Sequence, residues 1–413
     1  MIELSVPMLI LSDVFSPCPN SASQRVTSFA SALSQERFKV TVLAATRCRR
    51  KKLIPIDNNF LIYDLRYPKF MLSVSSVMMN PILVLLYIFM SIILVLRKNL
   101  KAILVSVPNG EVAIAGFFLS RLFGIPLIID MRDLYPPNQQ LVPLLPAPVP
   151  PILNQSFTRL FVFLYKRVCR ITCVEYNTKT QLLNMRVPTD KIVVIPNGAD
   201  ASVYKPCNSI EERDRIRLKY GLQVKDLIFV YAGSLVRYYP VWATIKGLKH
   251  VPPKERKNVR LLIISYTGYS SYISFMRSLR SEKNVRFIGP LPIHETAQIL
   301  SACDVGLVTY RREKVWGGMH GAKIFSYLSC GLPVLVSGPE TSVIKDLVSK
   351  YRLGIYVGEP SEHNFAEGIM YFLKNKNRKV IMGQNGRKLV ENSYDRKKIA
   401  SKMVEVVSRI TRT

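Results

Sequence analysis

The chain has 413 residues, enough for two domains with a core each. Its 58 basic and 28 acidic residues give a formal charge of +30. That points to an anionic partner (a phosphorylated substrate, a phospholipid surface or nucleic acid) unless the source simply favours lysine and arginine. Seven cysteines at irregular spacing, with no Cys-x-x-Cys, argue against a disulfide framework and a zinc site, and a mean hydropathy of +0.15 is high for a freely soluble enzyme.

The first residues alternate like a strand and no cleavage site follows, so no signal peptide is expected. A strand over Met8–Leu11, a loop from Ser16 to Ser23, a helix over Gln24–Glu36 and a strand over Val40–Ala44 make the βαβ opening of a doubly wound α/β fold. Arg47–Lys52 carries five basic residues in six, either a solvated loop or an anion-facing one. From Phe70 to Leu96 there is no charge, and Arg97, Lys98 and Lys101 follow. The densest part, Ile82–Leu96, covers roughly 22 Å as a helix, short of a hydrocarbon core of ~30 Å. Pro81 and several serines interrupt the longer stretch. An in-plane membrane helix with flanking cations is predicted, with a buried core helix as the alternative.

Strands follow at Ala102–Ser106 and Pro126–Asp130, with a helix over Glu111–Leu122 between them. The second strand ends in Asp130-Met131-Arg132-Asp133-Leu134-Tyr135-Pro136. Ligand sites in parallel sheets lie beyond such strand ends. The bland reading of the two acids is a helix cap or a salt bridge to Arg132. Seven prolines from Pro136 to Pro151 exclude a helix or a central strand there. A helix over Phe157–Arg170 and a strand over Ile171–Val174 lead to the strand and turn of Lys191–Asp200.

The later half repeats the βα rhythm without a fixed period. Helices are expected over Glu211–Tyr220, His294–Cys303, Ser342–Ser349, Glu362–Lys374 and Arg396–Arg409. Strands are expected over Leu227–Ala232, Arg260–Ile264, Val285–Ile288, Val305–Val308 and Gly354–Val357. The densest chemistry lies in Trp316–Val336: a glycine loop, a helix over Ala322–Cys330 and a strand over Pro333–Val336. A glycine loop that opens a helix aims free N–H groups and the positive end of the helix dipole at an anion, and Lys323 adds a full charge. Many such loops bind nothing, so the loop alone leaves both readings open. All four histidines (His250, His294, His320 and His363) lie in this half, and the first half has none. No Asp-x-Asp occurs and no metal is expected, nor is a cofactor.

Lys323-Ile324-Phe325-Ser326-Tyr327-Leu328-Ser329-Cys330-Gly331-Leu332-Pro333-Val334 resembles the donor-binding helix of retaining glycosyltransferases of family 4. The resemblance implies the GT-B fold, an α/β architecture of two Rossmann-like doubly wound domains facing a central cleft. The expected division is an acceptor-side domain over 1–200 with a membrane-associating stretch at 70–101, a nucleotide-sugar-binding domain over 201–395, and a helix over 396–413 crossing back. The family's two glutamates, eight positions apart, stand here as Gly318 and Ser326. Ser326 would bond the donor ribose. Gly317, Gly318, His320 and Gly321 would face the transferred sugar and its phosphate.

Gly233-Ser234-Leu235-Val236-Arg237 resembles the Gly-Asn-Leu-Gly-Arg loop of one subgroup, implying that Ser234 and Arg237 meet the diphosphate. Arginine suits that task because its fork binds two phosphate oxygens. Phe287-Ile288-Gly289 resembles the nucleobase contact. Asp130–Pro136 resembles the Asp-Val-Arg-Asp-Leu-Trp-Pro element of members acting on lipid-linked sugars. It implies an acceptor-side role for Asp130, Arg132 and Asp133, together with Asn20 in the first loop.

The implied activity is metal-independent, retaining sugar transfer, with Arg237, Lys323 and Asp133 as catalytic residues. The donor would be a nucleotide-diphosphate sugar and the acceptor lipid-linked or a membrane glycan. The protein would sit on the anionic cytoplasmic face of the cell membrane, peripheral or monotopic. The alternative is a non-catalytic GT-B partner or scaffold of a glycan-assembly complex. A sugar-nucleotide epimerase is a weaker one, since several acids and histidines are lacking. No nucleic-acid-binding module is present.

Overall fold

The computed structural model describes residues 5–15, 20–45, 60–65, 80–136, 151–236, 239–268, 283–313, 318 and 321–412. The sequence readings on Arg47–Lys52, 70–79, the prolines within 137–150, Arg237, Gly317 and His320 lie outside these residues. The chain divides into two units, Met1–Pro196 with Lys397–Thr413, and Asn197–Arg396.

The first unit is built on a seven-stranded parallel sheet in the order β3-β2-β1-β4-β5-β6-β7. The strands are β1 (Val6–Ser12), β2 (Phe38–Ala44), β3 (Leu61–Asp64), β4 (Ala102–Val107), β5 (Leu127–Met131), β6 (Arg170–Cys173) and β7 (Ile192–Val194). β4 and β5 are buried at every position, which is why AILVSV and LIIDM read as unbroken runs rather than alternating ones. The helices are α1 (Ser21–Gln35), α2 (Pro81–Lys98), α3 (Gly110–Phe123), α4 (Pro151–Arg167) and α5 (Tyr176–Asn184). β3 and α5 were not foreseen from the sequence.

Asparagines start the first three helices. The side-chain oxygen of Asn20 accepts from Ser23 N, that of Asn80 from the amides of Ile82 and Leu83, and that of Asn109 from those of Glu111 and Val112. Right-handed crossovers place α1 on one face of the sheet and α2, α3 and α4 on the other. α2 is packed lengthwise. The Tyr87 hydroxyl donates to Ser12 O at 2.8 Å and accepts from Ala45 N at 3.1 Å, and Lys98 Nζ donates to the Thr41 hydroxyl at 3.3 Å.

The second unit has a six-stranded parallel sheet in the order β10-β9-β8-β11-β12-β13. These are β8 (Leu227–Leu235), β9 (Val259–Gly268), β10 (Val285–Ile288), β11 (Val305–Thr309), β12 (Val334–Ser337) and β13 (Gly354–Tyr356). The helices used below are α6 (Ile210–Lys219), α7 (Val241–Gly247), α8 (Ile293–Ser301), α9 (Ala322–Ser329), α10 (Val343–Tyr351), α11 (Glu362–Lys374) and α12 (Lys376–Leu389). α13 (Arg396–Thr411) then falls, from Lys397 on, in the first unit.

A buried charge cluster ties the second unit together. Arg217 of α6 donates to Asp304 and to the carbonyls of Ala302, Val224 and Asp226. Lys379 of α12 takes the other Asp304 oxygen, and Ile228 N completes its shell. Burial raises the Asp304 pKa, but Lys379 and Arg217 outweigh it and hold the carboxyl below its ordinary value.

Candidate functional site

In the second sheet the strand order reverses between β8 and β11, so the ends of these two strands form a topological switch point. β8 runs on to Leu235, with a bulge against β9 between Gly233 and Leu235. The expected loop therefore starts later than the sequence suggested, and Gly233 and Ser234 are strand residues. Gly233 has φ +154°, a backbone that side-chain-bearing residues rarely adopt. A Cβ there would lie 3.4 Å from Lys323 Nζ.

α9 is fixed above this end. The Tyr327 hydroxyl, fully buried, accepts from Ala232 N at 2.8 Å, and Phe325 stacks on Tyr394 with centroids 4.4 Å apart. Gly321 caps the helix at φ +64°, and a Cβ there would collide with the Tyr310 hydroxyl. Gly321→Ala is expected to cost about 1–3 kcal/mol of stability, read as a lower urea midpoint, because both the backbone and the neighbour object. An unchanged midpoint would show that the loop relaxes freely.

These anchors put Lys323, in the first turn of α9, among tyrosines from three places in the chain. Its Nζ donates to the Tyr231 hydroxyl at 3.0 Å and lies 4.2 Å from the Tyr231 ring centroid and 3.8 Å from that of Tyr239. The Tyr231 hydroxyl gives its own proton to Ser234 O at 2.7 Å, which leaves its lone pairs for the ammonium. Tyr310, at the end of β11, packs edge-on against Tyr239. Ring faces attract a cation but supply no net negative charge.

Among the described residues no carboxylate pairs with Lys323, and burial pushes its amine down to about 7 from 10.5. The contrast with the cluster of Arg217, Lys379 and Asp304 is direct: there the buried charges have a counter-ion, and here the cation has none. With Gly318 and Ser326 in the places of the two glutamates, neither this loop nor α9 offers an acid.

The sign of the pH dependence follows. A depressed lysine pKa makes the unfolded chain bind more protons between about 7 and 10.5. The donor-free protein therefore gains stability as pH rises through that window and loses it again as pH falls to about 7. An anion prefers the protonated form. The affinity for a nucleotide-diphosphate sugar, whose diphosphate does not titrate near neutrality, should fall on the order of tenfold between pH 6.5 and 8.5. Isothermal titration at the two pH values checks this; a flat profile would contradict it.

The remaining predicted donor residues fall as follows. Ser326 is half-buried one helical turn beyond Lys323, on the same side of α9. Ile288 is the last residue of β10, half-buried at the same sheet edge. Gly318 is buried in a turn. Tyr239, two residues after Arg237 in the chain, lies against Lys323.

The acceptor-side set behaves differently. Asp130 is fully buried, and both its oxygens are taken by Arg25 of α1, at 2.9 and 2.8 Å, with the Thr172 hydroxyl adding a third bond at 2.8 Å. Arg25 also donates to the carbonyls of Ile195 and Pro196 and lies over the Phe29 ring. Asp130 is thus committed to the fold and presents no free oxygen to an acceptor, and its partner is Arg25 rather than Arg132. Arg132 instead pairs with Asp13 at 2.8 Å and bonds Val107 O. Asn20 is exposed, with its side-chain oxygen used as the α1 cap. Asp133 is exposed. The protein around it raises its carboxyl pKa by desolvation, against the pull of Arg132.

Sequence reasoning missed Arg25, Tyr231 and Tyr239. Arg25 had a signal, being the one charge on the apolar stripe of α1, four residues before Phe29. The tyrosines had none, because their role exists only once β8 and α9 are side by side.

Two family models match the chain: Glycosyltransferase Family 4 over residues 22–203 and Glycosyl transferases group 1 over residues 212–389. An uncharacterised glycosyltransferase of Methanocaldococcus jannaschii is 20% identical over 60% of this chain and 60% of its own length. A D-inositol 3-phosphate glycosyltransferase of Corynebacterium aurimucosum is 23% identical over 47% of this chain and 46% of its own. The chain thus spans about half to three fifths of the curated relatives it matches. Among solved structures, Anabaena HepE in complex with UDP superposes with a TM-score of 0.73 at 16% identity, covering 98% of this chain and 100% of that one. WaaG, a glycosyltransferase involved in lipopolysaccharide biosynthesis, gives 0.70 at 13% identity, covering 97% and 99%. The fold is GT-B, and two glycosyltransferase family models match successive parts of the chain.

Proposed function

We propose that the protein transfers a sugar from a nucleotide-diphosphate sugar to a lipid-linked or membrane glycan acceptor at the cytoplasmic membrane surface, with retention of configuration. The observation that carries the donor half is Lys323, a desolvated amine with no carboxylate partner among the described residues, at the switch point of the second unit. A diphosphate would supply the missing charge. UDP is what the HepE structure contains, and a uridine or similar diphosphate is the class of ligand proposed here.

In this reading the bond from the sugar's anomeric carbon to the diphosphate oxygen breaks while Lys323 and Arg237 stabilise the negative charge that builds there. The acceptor hydroxyl forms the new bond on the same face and passes its proton to the leaving diphosphate. No protein base is needed. That suits a first half without any histidine. Gly321 and its loop amides add hydrogen bonds, Ser326 meets the ribose, and Ile288 borders the base. On the acceptor side Asp133 is the group left open for an acceptor hydroxyl or amide, with Arg132 held beside it by Asp13.

Radiolabelled nucleotide sugars incubated with the purified chain and a membrane lipid extract test the reading. Label moving into the organic phase supports it, and no transfer from any donor overturns it. A second reading, a non-catalytic partner of a glycan-assembly complex, draws on Gly318 and Ser326 replacing the glutamates. Under that reading no nucleotide or nucleotide sugar binds.

A further inference from the structure

α2, α3 and α4 lie side by side on one face of the first sheet. α2 packs against α3, the Phe117 and Phe163 rings bring α3 against α4, and Arg121 donates to Arg167 O. α2 is 18 residues long with a hydropathy of 2.1, enough by length and composition to cross a membrane. Its packing argues against crossing. Leu83, Tyr87, Ser91 and Leu94 form a buried stripe along its whole length, so the helix cannot leave the body of the unit. The opposite stripe is just as apolar and stands exposed: Ile82 is 59% exposed, Leu85 65%, Phe89 62% and Leu96 72%. Neighbouring helices extend it with Phe118 and Leu122 on α3 and Leu160 and Phe163 on α4.

The charges are arranged as sharply. The three helices run the same way, each antiparallel to the strands, so their C-terminal ends share one edge. That edge carries Arg97 and Lys98, then Arg121, then Lys166 and Arg167. The three helices contain a single acid, Glu111, which is buried. An apolar face whose three helix C-terminal ends carry only cations is complementary to acyl chains beneath anionic headgroups.

We infer that α2, α3 and α4 together form a raft that lies in the plane of an anionic bilayer, with the Ile82, Leu85, Phe89 and Leu96 stripe in the acyl boundary and the cationic edge at the phosphates. This gives the proposed membrane setting an address in the chain, and it stands apart from the donor chemistry because bare vesicles carry neither donor nor acceptor.

Flotation of the full chain with vesicles tests it, using phosphatidylcholine alone and phosphatidylcholine with about one third phosphatidylglycerol. The wild type should bind the anionic vesicles at least tenfold more tightly and should resist release by moderate salt. Leu85→Glu with Phe89→Glu should lose binding by tenfold or more at every salt concentration. Arg97→Glu, Arg121→Glu and Arg167→Glu combined should lose the anionic preference. All substituted sites are exposed, and an unchanged far-UV spectrum with unchanged binding of a nucleotide sugar would show that the variants fold. Wild type that binds no vesicle, or binds both kinds equally, overturns the inference. So does a folded Leu85→Glu, Phe89→Glu double variant that binds as the wild type does. A wild-type dimer that the same double substitution turns into a monomer also overturns it, since a second copy would then cover the face.

Discussion

Lys323→Met is expected to abolish most of the proposed sugar transfer and at the same time to raise the stability of the donor-free protein. Loss of one charge aimed at a leaving diphosphate should lower turnover by on the order of 10²–10³-fold. The stability change has the opposite sign because the lysine is desolvated between Tyr231 and Tyr239, with no carboxylate beside it among the described residues. Methionine matches its length and removes the charge. A lysine with a purely structural task would show the reverse, a drop in thermal midpoint with little change in donor affinity. Turnover with labelled donor and thermal unfolding of the same preparations decide between the two.

Arg25→Ala and Asp130→Ala each destabilise the first unit by about 3–5 kcal/mol, because either change leaves a buried charge without its partner. Asp130 is bound from α1 and from β6, and Arg25 reaches on to the carbonyls after β7. The pair therefore ties together segments that are distant in the chain. Hydrogen exchange should report the loss in β1, β5 and β6 while the second unit stays protected. Arg25→Lys recovers little, as a single ammonium cannot make both bonds to the carboxylate and both to the carbonyls. An Asp130→Ala protein that is as stable as wild type yet inactive would return Asp130 to the acceptor.

The fold was legible where a residue's neighbours in sequence decide its place. Fully covered parallel strands such as β4 and β5 announce themselves as apolar runs, and α2 is bounded by Asn80-Pro81 at one end and cations at the other. Short elements with mixed patterns, β3 and α5, carried no such signal. Gly233 and Ser234 read as loop because glycine normally ends a strand, whereas here the bulge lets β8 continue past it.

The site was legible in part for the same reason. The glycine, the lysine and the helix that presents it lie within one stretch and could be read together. What makes Lys323 unusual comes from residues 84 and 92 positions away, and what removes Asp130 from the acceptor list comes from one 105 positions away. No local pattern carries that information. The resemblance gave Asp130 an acceptor-side role and Asp133 a catalytic one, both from the same motif. Burial separates them, one locked beneath Arg25 and the other open.

If the donor's diphosphate is the absent partner of one amine, that amine can be followed directly. Nuclear magnetic resonance of isotope-labelled lysine does so, with Lys323→Met to identify the signal. Lys323 is expected to titrate near 7 in the free protein and to stay protonated well above that once UDP is added. An amine that titrates at the ordinary lysine value, and does so identically with and without UDP, would contradict it.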